Sequence, residues 1–395
     1  MYLPTAYRPG HEKARRIDPE MADLYIKHTT MGDEAADAAI AACADFDPRQ
    51  QRTWIKTGIE SGAGAIPDAP EALRAVIAAS ERAPEWFDAA KTRAGSRVFH
   101  GNSETFLQAF VGAVLIEGFC TLIAKSFAIT GRLVDQGVRR MKQNNRHVSE
   151  IFLPGGLDTF GDGWTASVRI RLIHARVRAL MKESPDWEAD AWGTPLSSAH
   201  IAYANAAFSG LLLKRARMLG LDFLSDDERD SFMHCWRCSG HLVGVHPDLL
   251  CATEDEALRL QRIGEMCEPP PDIESILVAN GLVNSAPIIV GITDTDERRA
   301  LAKKVYRVSR AMIGDELADQ LRFPKYRTFG VLAAMRLRFR ADRLLRRAFP
   351  GLDRRRRAGQ FGQLVELSFH ETTETPYALP QHLYAERDRP DSSQG

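Results

Sequence analysis

Apolar residues recur at three- and four-residue spacing in one segment after another of this chain, a period that suits helices and not alternating strands. The segments 31–43, 70–82, 103–129, 166–181, 197–219 and 226–242 carry it, and further helices are expected at 254–267, 273–280, 296–313 and 330–348. Ser225-Asp-Asp-Glu228 marks one helix start as a capping box, with the serine accepting from the amide three residues on and the glutamate reaching back. Only 285–292 reads as extended, and Pro287 argues against a central strand there. The expectation is an all-α protein with no repeat of fixed period. No linker is long or polar enough to separate one folded unit from another, so a single large helical domain over 21–350 is expected, with tails at 1–20 and 351–395. The last stretch, rich in Arg, Pro, Ser and Gln, is expected to be partly disordered or strapped over the surface.

At 395 residues and 44% hydrophobic, the chain can bury a large core. Lys plus Arg and Asp plus Glu both number 52, so no overall field favours nucleic acid or an anionic membrane. Six cysteines are too few and scattered for a disulfide framework and are expected to be reduced. The N-terminus lacks the basic start and apolar stretch of a secretory signal, and a cytoplasmic location is expected. The run 106–130 is the most hydrophobic, but Glu117 and Lys125 interrupt it, which favours a central buried helix over a membrane span. The tract 336–357, which begins at Arg336 and ends at Arg357, holds ten arginines among Leu337, Phe339, Leu344, Leu345 and Phe349. Its plain reading is a solvated helix face, and its alternative a peripheral contact with acidic lipid or nucleic acid.

Arg169-Ile-Arg-Leu-Ile-His174-Ala-Arg-Val-Arg178 sets one histidine among apolar residues on a helix crowded with arginines. At about 100° per residue, Ile170, Ile173, His174 and Val177 share a face, so the imidazole is expected to point inward. Buried, it needs a hydrogen bond or a metal. A second cluster lies in His234-Cys-Trp-Arg-Cys-Ser-Gly-His241-Leu-Val-Gly244, where His234, Cys238 and His241 share one helical face. One helix cannot wrap four ligands around a zinc ion. The Cys235-Trp-Arg-Cys238 spacing falls mid-helix with no sheet beside it, unlike redox motifs of that form. Inward imidazoles at His174, His234 and His241, with Arg171 and Arg178 nearby to match propionates, instead suit a haem. A carboxylate-bridged di-iron centre needs Glu-x-x-His pairs, which these helices lack.

Five of these segments, taken in order, resemble the oxygenase family of rubber oxygenase and MpaB. They are Thr130-Gly-Arg-Leu133, Pro154-Gly-Gly-Leu157, Arg169-x-Arg-Leu-Ile-His-Ala-x-Val-Arg178, Trp192-Gly-Thr-Pro195 and His234-x-Trp-Arg-x-x-Gly-His241-x-x-Gly244, within about 84–345. The resemblance implies a globin-like helical core, haem b and O₂-dependent oxidation, with cleavage of a carbon–carbon double bond in polyisoprenoids or prenyl side chains. It places a lysine of the rubber-cleaving members where His174 stands and an arginine where Arg171 stands. Those members' proximal histidine would fall near Asn205 or Ala206, and Gln143-Asn144-Asn145 replaces their glutamate–threonine pair.

The function expected is thus a haem-dependent oxygenase acting with O₂ on a small hydrophobic substrate, with no nucleic-acid partner. His174 is the expected iron ligand, Arg171 serves distal polarity or a propionate, Arg178 stands beside them, and His234 and His241 form an opposite wall or supply a second ligand. The alternative is a non-catalytic helical protein of the same fold that binds haem or an apolar ligand.

Overall fold

The computed structural model describes residues 2–129, 137–349 and 351. The Thr130-to-Leu133 motif, Arg354 to Arg357 and the tail 352–395 lie outside the described residues. Within them the fold is all-α, with no strand. In chain order the helices are α1 (Arg8–Arg15), α2 (Pro19–Thr29), α3 (Glu34–Ala42), α4 (Pro48–Ser61), α5 (Glu71–Glu81), α6 (Ala89–Gly101) and α7 (Ser103–Ala109). Next come α8 (Leu115–Gly118), α9 (Ile123–Ile129), α10 (Gly137–Ile151), α11 (Asp162–Lys182), α12 (Ala189–Trp192), α13 (Ser198–Ala206) and α14 (Leu212–Met218). The last are α15 (Asp226–Leu242), α16 (Glu254–Cys267), α17 (Ile273–Ile289), α18 (Thr295–Ile313), α19 (Asp315–Gln320) and α20 (Val331–Ala348).

The capping box forms as the sequence suggests, with Ser225 accepting from Glu228 N and Glu228 accepting from Ser225 N. The long helix expected over 103–129 is instead broken. A π-helical stretch, Phe110–Val114, joins α7 to α8, and the chain turns at 119–122 before α9. Two polar contacts fix the break: Glu117, fully enclosed, pairs with Arg215, and the Leu122 amide donates to the buried Glu268 carboxylate at 3.2 Å. A second π-helical stretch, Ala207–Leu211, joins α13 to α14, and the two stretches meet with Phe110 edge-on to Phe208 at 5.1 Å. No helix among the described residues is long and apolar enough to cross a membrane.

The segment expected as extended is also helical, since α17 runs through Pro287 to Ile289. Proline so near the end forfeits little of the hydrogen-bond ladder. Burial of Leu282, Val283, Ser285 and Pro287 overrides its local preference, and Gly291, at φ +76°, ends the run.

The segment 1–20, expected as a tail, carries from residue 2 onward a 3₁₀ turn, which packs against α12, and α1, which packs against α16. The cause is a buried polar network that no local pattern in the sequence signals. Tyr7 Oη lies 3.0 Å from His200 Nε2, Tyr25 Oη donates to Glu268 Oε1 at 2.7 Å, and His200 Nε2 stands 3.3 Å from the same oxygen. Burial, and then the charge of Glu268, push both phenols well above their usual range, so they stay protonated donors.

The core centres on α6 against α15. Phe99, Phe106, Phe152 and Phe232 stack there, with ring planes within 22° of parallel and centroids 4.4 to 5.7 Å apart. Gly95 permits that crossing, because a Cβ there would stand 2.4 Å from the Ser231 carbonyl oxygen. Gly95→Ala is expected to destabilise the protein by about 2 kcal/mol through forced separation of the two helices, read as a lower urea midpoint.

Candidate functional site

α11 packs against α3, α10 and α15. Of the face expected to turn inward only Val177 is fully buried, while Ile170, Ile173 and His174 are half-buried and Leu172, Ala175 and Arg178 are enclosed. The His174 Nδ1 is buried and has no hydrogen-bond partner. Burial drives the imidazole down to a pKa of about 4, with the charge of Arg178 adding to the shift and that of Asp33 opposing it. The ring is therefore neutral at pH 7, which is the form that ligates a metal. A space of about 10 Å³, lined by Ile201, Val243 and Gly244 among others, adjoins it. That is room for about one water.

Nothing in the sequence signals the second histidine that shares this interior. His147 on α10 is buried and held to a pKa of about 3 by burial and then by His174. Its Nε2 lies 2.9 Å from Ser167 Oγ, which in turn lies 3.3 Å from Ser239 Oγ. Asn145 Oδ1 on the same helix and Trp236 Nε1 on α15 are likewise buried with no hydrogen-bond partner. Unpartnered polar atoms on α11 and on two helices packed against it, α10 and α15, are costly to bury.

The arginines expected to face propionates have partners within the chain. Arg171 grips Asp33 as a fork, Nε to Oδ2 at 2.6 Å and Nη2 to Oδ1 at 2.9 Å. Arg178, 1% exposed, places Nε 2.8 and 3.0 Å from the two Asp37 oxygens and donates from Nη1 to the Leu196 carbonyl at 2.6 Å. Asp33 and Asp37 are four apart at the start of α3, and Arg171 and Arg178 seven apart on α11, so each pair presents one face. That each pair shares a face is the one local sign of the pairing; which two helices meet is not readable from the sequence. Gly244, at φ +84°, makes room for the first pair, since a Cβ there would stand 2.2 Å from Asp33 Oδ2.

His234 and His241 are not gathered at His174. The Asp88 amide donates to His234 Nε2 at 3.0 Å, and the ring packs against Trp86 and Phe87. His241 lines a separate cavity of about 230 Å³ with Phe87, Leu157, Trp164 and Cys238. Trp164 stands ten residues before His174 on α11, or about 15 Å along its axis. His234, Cys238 and His241 form no metal-holding group among the described residues. All six cysteines are free and buried, and burial holds the Cys238 thiol at a pKa of about 12. The neighbourhood of Asn205 holds no free imidazole: the Asn205 amide donates to the Trp236 carbonyl at 3.1 Å, and His200 belongs to the tyrosine network.

The fold and this interior define a class. Residues 97–347 match the family model described as ER-bound oxygenase mpaB/B'/Rubber oxygenase, catalytic domain, and the chain belongs to that family of oxygenases. It is similar to the rubber oxygenase of Streptomyces sp. (strain K30), at 23% identity over 304 residues that take in 74% of this chain and 71% of the relative. It also shares its fold with latex clearing protein in the closed state, at a TM-score of 0.64 and 19% identity, covering 87% of this chain and 91% of that one.

Asp33 is the sharpest handle on the site's electrostatics. Burial by itself raises its carboxyl, but the hydrogen bonds and charge of Arg171 outweigh burial and hold it below the usual carboxylate range. Its contribution to stability is therefore present at neutral pH and lost as pH falls through the lowered value. Asp33→Asn, which leaves Arg171 without its counter-charge, is expected to cost about 3 kcal/mol at pH 7. The gap between variant and wild type in urea midpoint should narrow as pH falls below about 4.

Proposed function

We propose that this chain is a haem b-dependent oxygenase that oxidises a small or medium hydrophobic, unsaturated molecule with O₂, isoprenoid C=C cleavage being the reaction its rubber-oxygenase relative suggests. The observation that carries this reading is the inward imidazole of His174, neutral and with a buried ring nitrogen that no protein group satisfies. Such a nitrogen is the kind of donor that would ligate a haem iron. The fit is limited to that nitrogen: the space of about 10 Å³ beside it is far smaller than a macrocycle, and Arg171 and Arg178 are already neutralised by Asp33 and Asp37.

The haem, when bound, supplies the activation of O₂. The chain's own contribution is to hold and shield. Burial keeps His174 deprotonated and ready to ligate across the physiological range. Ile201 and Val243 present apolar walls beside it and limit water. The Asp33–Arg171 and Asp37–Arg178 pairs fix the α11 backbone on either side of the ring, so the two arginines serve as positioning residues. His234, bonded to the Asp88 amide, and His241, which lines the separate cavity, are left out of the ligand set.

Purified protein expressed with a haem precursor should show a Soret band, and His174→Ala should abolish or shift it while leaving the far-UV spectrum of a helical protein. Colourless protein would sink the reading. A second reading, a carrier of apolar ligands, is favoured by Asn205, whose amide is committed to the Trp236 carbonyl where the rubber-cleaving pattern has its proximal histidine. Oxygen uptake in the presence of an unsaturated hydrophobic substrate separates the two, because a carrier consumes none.

A further inference from the structure

Away from α11, the C-terminal turn of α2 holds a histidine that the fold leaves unsatisfied. His28 is 0% exposed, and neither Nδ1 nor Nε2 makes a hydrogen bond. Its ring lies 4.4 Å from that of His246, tilted by 54°, in the loop that follows α15. Asp248 Oδ2 stands 3.5 Å from His28 Nε2 and 3.7 Å from His246 Nδ1, and one ligand atom from each of the three residues falls within 4.8 Å of the others.

These spacings are those of a metal site. Two donors each about 2.1 Å from one ion in tetrahedral geometry are separated by about 3.4 Å. The carboxylate oxygen is near that distance from both rings already. We propose that His28, His246 and Asp248 bind a divalent first-row transition cation of the Zn²⁺ class, with the fourth position open to water on the side where His246 and Asp248 reach solvent. Two imidazoles and one carboxylate are a donor set that such ions accept. The carbonyl end of α2 adds a favourable dipole for a cation. Two groups oppose it and must yield. Lys27 Nζ, 3.7 Å from Asp248 Oδ2, has to swing outward, which its half-exposed side chain allows. The Asp248 amide, bonded to His246 Nδ1 at 3.2 Å, gives up that contact if the ion takes the same nitrogen.

The ion would tie the end of α2 to the loop 246–248, directly after Val243 and Gly244, which line the space beside His174. This site uses none of the ligands assigned to the haem and stands independently of the oxygenase reading.

The test loads the chelator-stripped full chain with zinc alone, desalts it and measures bound metal by mass spectrometry, with binding isotherms by calorimetry. Wild type should retain about one equivalent and gain thermal stability with added zinc. His246→Ala and Asp248→Asn, on the exposed side and checked for unchanged helicity, should weaken binding by about tenfold or more. His234→Ala should leave the same equivalent in place, which separates this site from the α15 cluster. No zinc above background in wild type, or equal retention in wild type and both site variants, would overturn the proposal.

Discussion

Arg178 is almost wholly enclosed, and a helix that carries it together with Arg171 can lie inside a protein only if their charges are met there. Two carboxylates at the start of α3 meet them. Removing two guanidiniums from water costs several kcal/mol each unless well-aligned counter-charges replace the lost hydration. The fork between Arg171 and Asp33, and the contacts of Arg178 with Asp37 and the Leu196 carbonyl, meet that condition. They also fix where α11 sits relative to α3 and α13, and therefore where His174 points. The neutrality of that imidazole follows from the same arrangement, since burial and the Arg178 charge both disfavour its protonated form.

A second polar device closes the other side of the core. Tyr7, Tyr25, His200 and Glu268 come from four separate segments and satisfy one another in a region with no access to water. The network makes the first residues belong to the domain, and its last acceptor, Glu268 Oε2, receives the amide at the break between α8 and α9. Both π-helical stretches lie in the helices that flank this region, where an extra residue per turn lets α7 and α13 bring bulky rings into contact. The arrangement leaves His174 Nδ1 and both ring nitrogens of His28 without hydrogen-bond partners.

Much of the fold was legible because helices advertise themselves locally. The spacing of apolar residues, the Ser225–Glu228 box and the shared face of His234, Cys238 and His241 all appear as expected in α15. Pro287 misled because its cost in the last turn of a helix is small beside the burial of its neighbours, whose packing partners lie far away in sequence. That His174 carries a buried ring nitrogen was legible in part for the same local reason. Its surroundings were not, because the partners of Arg171 and Arg178 stand 138 and 141 residues earlier and His147 stands on another helix.

By itself, then, the sequence determined that this protein is all-α, where many of its helices run, and its likeness to a family of oxygenases. These depend on periodicity, capping and motif order, which act within a few turns of chain. Only the tertiary structure decided that the arginines of α11 answer to aspartates at the start of α3, that His234 and His241 lie apart from His174, that the first residues belong to the core, and that His28 meets His246 and Asp248. Each depends on which helices pack together, and a charge or a ring nitrogen finds its partner only after they have done so.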